Sequence, residues 1–140
     1  GIVHGDYSLT NVMIGKDNPN VIAILDWELS TLGDPCADFN YHCLQYTMNP
    51  KLADKEFCRN QGIPVIDDYV KMYSEKINID LSEEWDLYSA YNLFKLAGIL
   101  QGILGRVRDG TAAHENAAER ASGVRNLSDT AWNLVEKNFL

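Results

Sequence analysis

The feature that most restricts the fold is a pair of β-prone apolar runs split by a turn-rich segment close to the start of the chain. Asn11-Val12-Met13-Ile14 and Val21-Ile22-Ala23-Ile24-Leu25 flank Gly15-Lys16-Asp17-Asn18-Pro19-Asn20, which is dense in residues that reverse a backbone. The pattern predicts an antiparallel hairpin. If the turn centres on Asn18-Pro19, residues whose numbers sum to 37 face each other. Asn11 then lies opposite Asp26, with Cβ atoms roughly 4.5 to 5.5 Å apart.

An amide oxygen and a carboxylate so placed are hard ligands of the kind magnesium takes at about 2.0 to 2.1 Å, with phosphate and water supplying the others. Asp6 falls in the loop before the hairpin, next to Gly5, whose backbone reaches turns that other residues resist. From there its carboxylate can receive the proton of an attacking hydroxyl. Phosphoryl transfer needs chiefly positioning and charge neutralisation, so one oriented carboxylate and a metal cover much of the chemistry on this side.

Three blocks within residues 4–38 carry a family resemblance: His4-Gly5-Asp6-x4-Asn11, Asp26-Trp27-Glu28 and Gly33-Asp34-Pro35-x2-Asp38. Together they resemble the catalytic half of the aminoglycoside phosphotransferase and choline kinase-like family. Within it, the chain looks most like the kinase-like domains related to those joined to acyl-CoA dehydrogenases. The resemblance implies an α+β, mainly α fold: the C-terminal lobe of a protein-kinase-like structure, with a small β-hairpin carrying the catalytic and metal residues. It implies Asp6 as the catalytic base and Asn11 and Asp26 as the ligands of Mg2+ accompanying ATP or another nucleoside triphosphate. Glu28 is a candidate further ligand, and Asp38 a carboxylate that braces the catalytic-loop backbone. His4 reads as a packed, hydrogen-bonded support, because Asp6 already supplies the base. Trp27 and Glu28 stand where protein kinases carry Phe-Gly, which favours a small-molecule kinase over a protein kinase. Its acceptor would be a hydroxyl of an aminoglycoside-, choline- or hydroxyacyl-thioester-like molecule.

In that family the nucleotide is sandwiched between two lobes, the first supplying a glycine-containing loop and a strand lysine. Here only Gly1-Ile2-Val3 precede the catalytic loop. Residues 1–140 are therefore expected to form a single C-terminal lobe, with catalytic loop, hairpin and metal segment in 1–34 and a helical subdomain in 35–140. Its partners are the missing N-terminal lobe of the same protein and a hydroxylated small molecule, and alone it should not turn over ATP. The competing reading is a non-catalytic kinase-like binding or regulatory module. The joint presence of Asp6, Asn11 and Asp26 argues against it, since a lobe released from catalysis has no physical need for all three.

Composition suits one globular lobe with one core, at 46% hydrophobic and 23% charged residues. Twelve basic against twenty acidic residues give a formal charge of −8, which disfavours nucleic acid as a partner. The acidity suits a cationic acceptor, though solubility explains it more simply. Cys36, Cys43 and Cys58 are odd in number and lack a close metal-type pair, which fits a reduced, cytoplasmic setting. A zinc cluster of these with His42 would normally show tighter spacing. Cys36 and Cys43, seven apart, fit two buried positions on one helix face.

The remainder reads as helical. Asp34 caps a helix whose first residue is Pro35 and which runs to about Met48. A short helix near Leu52 to Arg59 follows, then a Gly62-x-Pro64 break and a helix from Val65 to about Ile77. Ser82, Glu83 and Glu84 mark the start of a long helix in which Leu93, Leu96, Ala97, Leu100, Ile103, Leu104 and Val107 recur at three and four. Gly98, Gly102 and Gly105 interrupt it. Lys95, Gln101 and Arg106 break its apolar run well short of the roughly 20 residues that a membrane span needs. From Ala112 to Phe139 one or two final helices are expected, with Ser128 as a candidate cap and Leu127, Ala131, Leu134 and Val135 as a stripe. Tyr41, Tyr46, Tyr88 and Tyr91 are candidate cleft residues that would more ordinarily sit at a core edge. Arg106 and Arg108 are candidates for an anionic group such as the phosphates of a coenzyme A thioester.

Overall fold

The computed structural model describes residues 1–112 and 116–140. Its four strands are β1 (Ile2–Val3), β2 (Val12–Ile14), β3 (Val21–Ile24) and β4 (Thr31–Leu32). The helices are α1 (Pro35–Met48), α2 (Pro50–Ala53), α3 (Lys55–Asn60), α4 (Ile66–Ile77), α5 (Trp85–Arg108), α6 (Ala117–Arg120) and α7 (Val124–Phe139). The fold is mainly helical with small antiparallel ribbons, as the resemblance implied. Contacts group the chain into two compact units, Gly1–Glu83 and Glu84–Leu140, so the division falls inside the stretch read above as one helical subdomain.

In the first unit, β1 pairs antiparallel with β4 (Ile2 opposite Leu32, Val3 opposite Thr31), and β2 pairs with β3. Residues 4–30 are thus an excursion whose two ends are clamped together by the outer ribbon. The hairpin forms, but its register differs from the expected one. Val12 faces Ile24 and Met13 faces Ala23, whereas Ile14 faces Val21, so Ile22 is an extra residue bulged out of β3. The Gly15 amide donates to the Asn20 carbonyl at 2.9 Å, which centres the turn on Asp17-Asn18 instead of Asn18-Pro19. The bulge recovers one position of that slip, and Asn11 ends up level with Leu25, whose amide donates to the Asn11 carbonyl at 2.8 Å. Asn11 itself closes a 3-10 turn, Leu9–Asn11, before the strand begins.

Helix α1 has the predicted limits. The Asp34 side chain accepts from the Cys36 amide at 2.9 Å while Pro35 occupies the first turn, where its missing N–H loses nothing. One face buries Cys36, Phe39, Asn40, Cys43 and Leu44. Asp38, Tyr41 and His42 lie roughly opposite, because successive residues turn by about 100°. Phe39 stacks on Tyr73 of α4 at 3.8 Å and meets Tyr69 of the same helix edge-on at 5.1 Å. The single helix expected near Leu52 to Arg59 is two, because Asp54 stops one and caps the next by accepting from the Glu56 and Phe57 amides.

In the second unit, Asn138 near the end of α7 donates to Asp86 at the start of α5 at 2.8 Å, so these two helices run antiparallel. Of the expected apolar stripes, Leu93 and Ala97 of α5 and Leu127 and Ala131 of α7 are buried, while Leu96, Leu100, Ile103, Leu104, Val107, Leu134 and Val135 are half-buried; Ala90, outside the expected stripe, is buried as well. Asn92 of α5 is buried too, and among the described residues every buried polar side-chain atom has a partner. Ser128 does not cap: it lies inside α7, where its hydroxyl bonds back to the Val124 carbonyl at 3.0 Å, and Gly123 holds the cap position. Of the final stretch expected to be helical, residues 113–115 lie outside those described. Among the described residues no helix is long and apolar enough to cross a membrane.

Candidate active site

Strand β1 leads straight into the loop of His4, Gly5, Asp6 and Tyr7. Gly5 sits at φ +86°, and a Cβ there would come within 2.5 Å of the Leu29 carbonyl oxygen, so both conformation and space demand glycine. The amides of His4 and Gly5 donate to the two oxygens of the Asp38 carboxylate on α1, the Gly5 bond at 3.0 Å. Asp38 therefore grips the backbone immediately ahead of Asp6.

His4 is 3% exposed, and both of its ring nitrogens are engaged. Nε2 meets the Leu25 carbonyl at 2.8 Å and Nδ1 meets the Asp6 amide at 3.2 Å. A carbonyl only accepts and an amide only donates, so the ring carries its proton on Nε2. One imidazole thus ties the residue preceding Asp26 to the backbone of Asp6. The Trp27 ring lies 4.7 Å from that of His4, and its Nε1 donates to the Ile24 carbonyl at 2.8 Å, closing the turn beyond β3.

Asn11 Nδ2 donates to the Asp6 carbonyl at 3.0 Å and to Asp6 Oδ2 at 3.3 Å. With its nitrogen turned to Asp6, the amide has Oδ1 left as a ligand. Asp26 does not face Asn11 across the ribbon as the expected register required. It follows β3 in the left-handed region at φ 66°, which aspartate tolerates better than most residues. Asp26 and Glu28 are both exposed, Glu28 in the 3-10 turn Trp27–Leu29. Among the described residues no three His, Cys, Asp or Glu side chains gather to hold an ion. The donors on offer, an amide oxygen and a carboxylate, are of the type and number that magnesium accepts when phosphate and water complete its shell.

Of the candidate cleft tyrosines, Tyr41 lies near Asp6: burial first, and then the Asp6 charge, push its pKa up. Its place on α1, three residues beyond Asp38, was the sequence signal for this proximity. The other tyrosines singled out serve elsewhere. Tyr46 donates to the Pro64 carbonyl at 2.9 Å, Tyr88 to Glu84 at 3.2 Å, and Tyr91 is 58% exposed. Arg108 is ion-paired with its neighbour Asp109 at 3.1 Å. A cavity of about 310 Å³ adjoins the loop, lined in part by His4, Tyr7, Trp27, Asp38, Phe39 and Tyr73. A larger one of about 540 Å³ runs along α4 and touches none of the expected site residues. Of the expected site residues only the two supports, His4 and Asp38, line the smaller one; Asp6, Asn11 and Asp26 do not.

Residues 1–91 match the model described as the phosphotransferase enzyme family. Over 97% of its length the sequence is 36% identical to acyl-CoA dehydrogenase family member 10 of Mus musculus, of which it covers 13%. It is 34% identical to acyl-CoA dehydrogenase family member 11 of Rattus norvegicus over 99% of its length, covering 18% of that protein. A solved structure from Ralstonia eutropha, assigned to the aminoglycoside phosphotransferases, superposes with a TM-score of 0.88 at 39% identity. The match spans 99% of this chain and 43% of that one. The chain thus spans less than a fifth of the curated relatives' length.

Proposed function

The chain belongs to the phosphotransferase enzyme family, and on that premise we propose that it is the catalytic lobe of an ATP- and Mg2+-dependent kinase acting on a hydroxyl of a small molecule. The observation that carries this reading is the His4 imidazole, bonded on one side to Asp6 and on the other to the residue before Asp26. A single ring that holds a prospective base and a prospective ligand segment in register has a clear use in phosphoryl transfer, where positioning dominates.

In this reading Asp6 accepts the proton of the acceptor hydroxyl as the acceptor oxygen bonds to the γ-phosphorus and the bond to the β,γ-bridging oxygen breaks, releasing ADP. Asn11 would serve twice: its Nδ2 steadies Asp6 and its Oδ1 would be a ligand of the ion. Asp26, and secondarily Glu28, would supply carboxylate oxygens to the same ion. When bound, the ion would neutralise charge on the phosphates. Asp38 and His4 hold the loop and touch no substrate.

The acceptor class best supported is a hydroxyacyl thioester, since the mouse and rat relatives are acyl-CoA dehydrogenase family members; aminoglycoside- and choline-like alcohols are the alternatives. An N-terminal nucleotide-binding lobe of the same protein would complete the ATP site. The exposure of Ile14, Val21, Ile22 and Leu25 on the hairpin supports such a partner. Cys36, Cys43 and Cys58 are buried and outside any disulfide, which accords with a cytoplasmic location.

The test is ATP consumption by the full-length protein over a panel of hydroxyacyl thioesters, aminocyclitols and amino alcohols, with Asp26→Ala and Asp6→Asn as controls. Substrate-dependent turnover lost in both variants is expected. Equal background rates for wild type and variants with every acceptor would refute the kinase assignment in favour of a binding module.

A further inference from the structure

Helix α5 carries an apolar face that its own fold leaves open. Leu87, Tyr91 and Phe94 recur at four and three, and they are 48%, 58% and 70% exposed, whereas Leu93 and Ala97 are buried on the core side. Gly98, Gly102 and Gly105 continue the same line. Successive residues turn by about 100°, so all six fall within an arc of about 80°. A Cβ placed at Gly98 or Gly105 meets no other described atom within 4 Å, and at Gly102 it meets only the flexible end of Arg106 at 3.9 Å. Among the described residues no neighbour therefore requires these glycines, each of which weakens a helix interior.

The face is complementary to itself. Three projecting side chains fill its first half, and three positions without side chains fill its second. With a second copy of α5 set antiparallel on a two-fold axis between Phe94 and Gly98, Phe94 falls opposite Gly98 of that copy, Tyr91 opposite Gly102 and Leu87 opposite Gly105. Every contact then occurs twice, because a two-fold interface joins one patch to itself. Bare backbone on one helix receives the rings of the other, as ridges enter grooves.

Charge selects the same direction. Glu84 and Asp86 stand at the start of α5, and Arg106 and Arg108 at its end. An antiparallel copy sets each acidic end against a basic end, whereas a parallel copy sets like against like. Glu84 and Asp86 each accept one bond within the chain, from Tyr88 and Asn138, and keep further lone pairs. Arg108 shares its charge with the exposed Asp109 at 3.1 Å, and Arg106 adds a second cation. The distribution also suits the helix macrodipole, and opposed macrodipoles favour the antiparallel pair as well.

We propose that this face of α5 is a homodimer interface on which a second copy of the chain docks antiparallel, each aromatic half against the glycine half of the other. The proposal is independent of the kinase reading. The contact runs along about 27 Å of helix, at the small end of specific interfaces, so dimerisation should depend on concentration.

The experiment follows the mass of the full-length protein by sedimentation across a concentration series. Wild type should double reversibly in mass. Two charge-reversed variants, Glu84→Arg with Asp86→Arg and Arg106→Glu with Arg108→Glu, should each stay at the lower mass. Their equimolar mixture should regain the doubling, because only the mixed pair again sets opposite charges at both ends, and regained mass also shows that both variants fold. Gly98→Gln with Gly102→Gln should stay at the lower mass while melting no lower than wild type, since glutamine is the better helix former. Wild type of constant mass, or variants that associate as wild type does, would overturn the proposal and leave the face to another segment of the parent chain or a different partner. A mixture that fails to associate would overturn it too.

Discussion

Replacing Asp38 by asparagine probes the brace on which the loop depends. The carboxylate accepts two backbone amides, those of His4 and Gly5, and an isosteric amide side chain can accept only one. Its NH2 would then face a donor. A hydrogen bond to a charged group contributes about 1.5 to 3 kcal/mol, and an amide left unsatisfied adds to the loss. Because Asp38 is half-buried and water can reach part of the site, about 2 kcal/mol of local stabilisation is the working figure. At about 1.4 kcal/mol per factor of ten, hydrogen-exchange protection of the His4 and Gly5 amides should drop by roughly 30-fold. A loop displaced by about 1 Å should also cost roughly a hundredfold in turnover of the full-length protein. The matched control is Asp34→Ala on the same helix, which removes the cap on the Cys36 amide for about 1 kcal/mol but leaves the brace intact. If the two loop amides exchange no faster in Asp38→Asn than in wild type, or if Asp34→Ala accelerates them equally, Asp38 does not hold the loop.

Two further outcomes follow from the same unit. Gly5→Ala puts a Cβ at φ +86° within 2.5 Å of the Leu29 carbonyl oxygen. It should destabilise by at least about 1 to 2 kcal/mol and abolish phosphotransfer, read by thermal melting and the kinase assay together; an active variant of normal stability would refute the demand for glycine. Burial lowers the His42 pKa from 6.5, beside the rings of Tyr7 and Tyr69. A histidine held neutral in the fold binds more protons when unfolded, so its contribution is full above about pH 6.5 and is lost as pH falls through the lower folded value. The melting temperature should therefore decline on acidification below about pH 6.5, and His42→Phe should flatten that decline; identical slopes would sink the assignment.

Legibility in the sequence followed local punctuation. Helix α1 was readable to the residue, because Asp34-Pro35 is a start signal with its own hydrogen bond and Asn49-Pro50 stops it. The long apolar stripe announced α5, and turn formers between β-branched runs announced the hairpin. The register was not readable. It hangs on where a six-residue turn folds and on one bulged residue, Ile22, and neither has a sequence mark stronger than its neighbours. Ser128 misled because serine serves equally as a cap and as a mid-helix residue bonding back one turn. The outer ribbon escaped because two-residue strands carry no periodicity.

The difference in register leaves the contacts of Asn11 and of the residue before Asp26 in place, and the reason lies in how they are built. Had Asn11 and Asp26 met only as a cross-strand pair, a slip of one residue would have turned one side chain to the opposite face. Instead each is placed by contacts independent of the ladder. Asn11 is placed by a 3-10 turn and two bonds to Asp6, Asp26 by a left-handed turn that follows the residue held by His4. The β1–β4 ribbon closes the base of the excursion, so loop and turn stay side by side however the hairpin tip is arranged. At the base of the hairpin one buried imidazole, His4, meets the Leu25 carbonyl and the Asp6 amide, and one helix carboxylate, Asp38, holds the amides of His4 and Gly5, so the proposed site depends on that base more than on the hairpin tip.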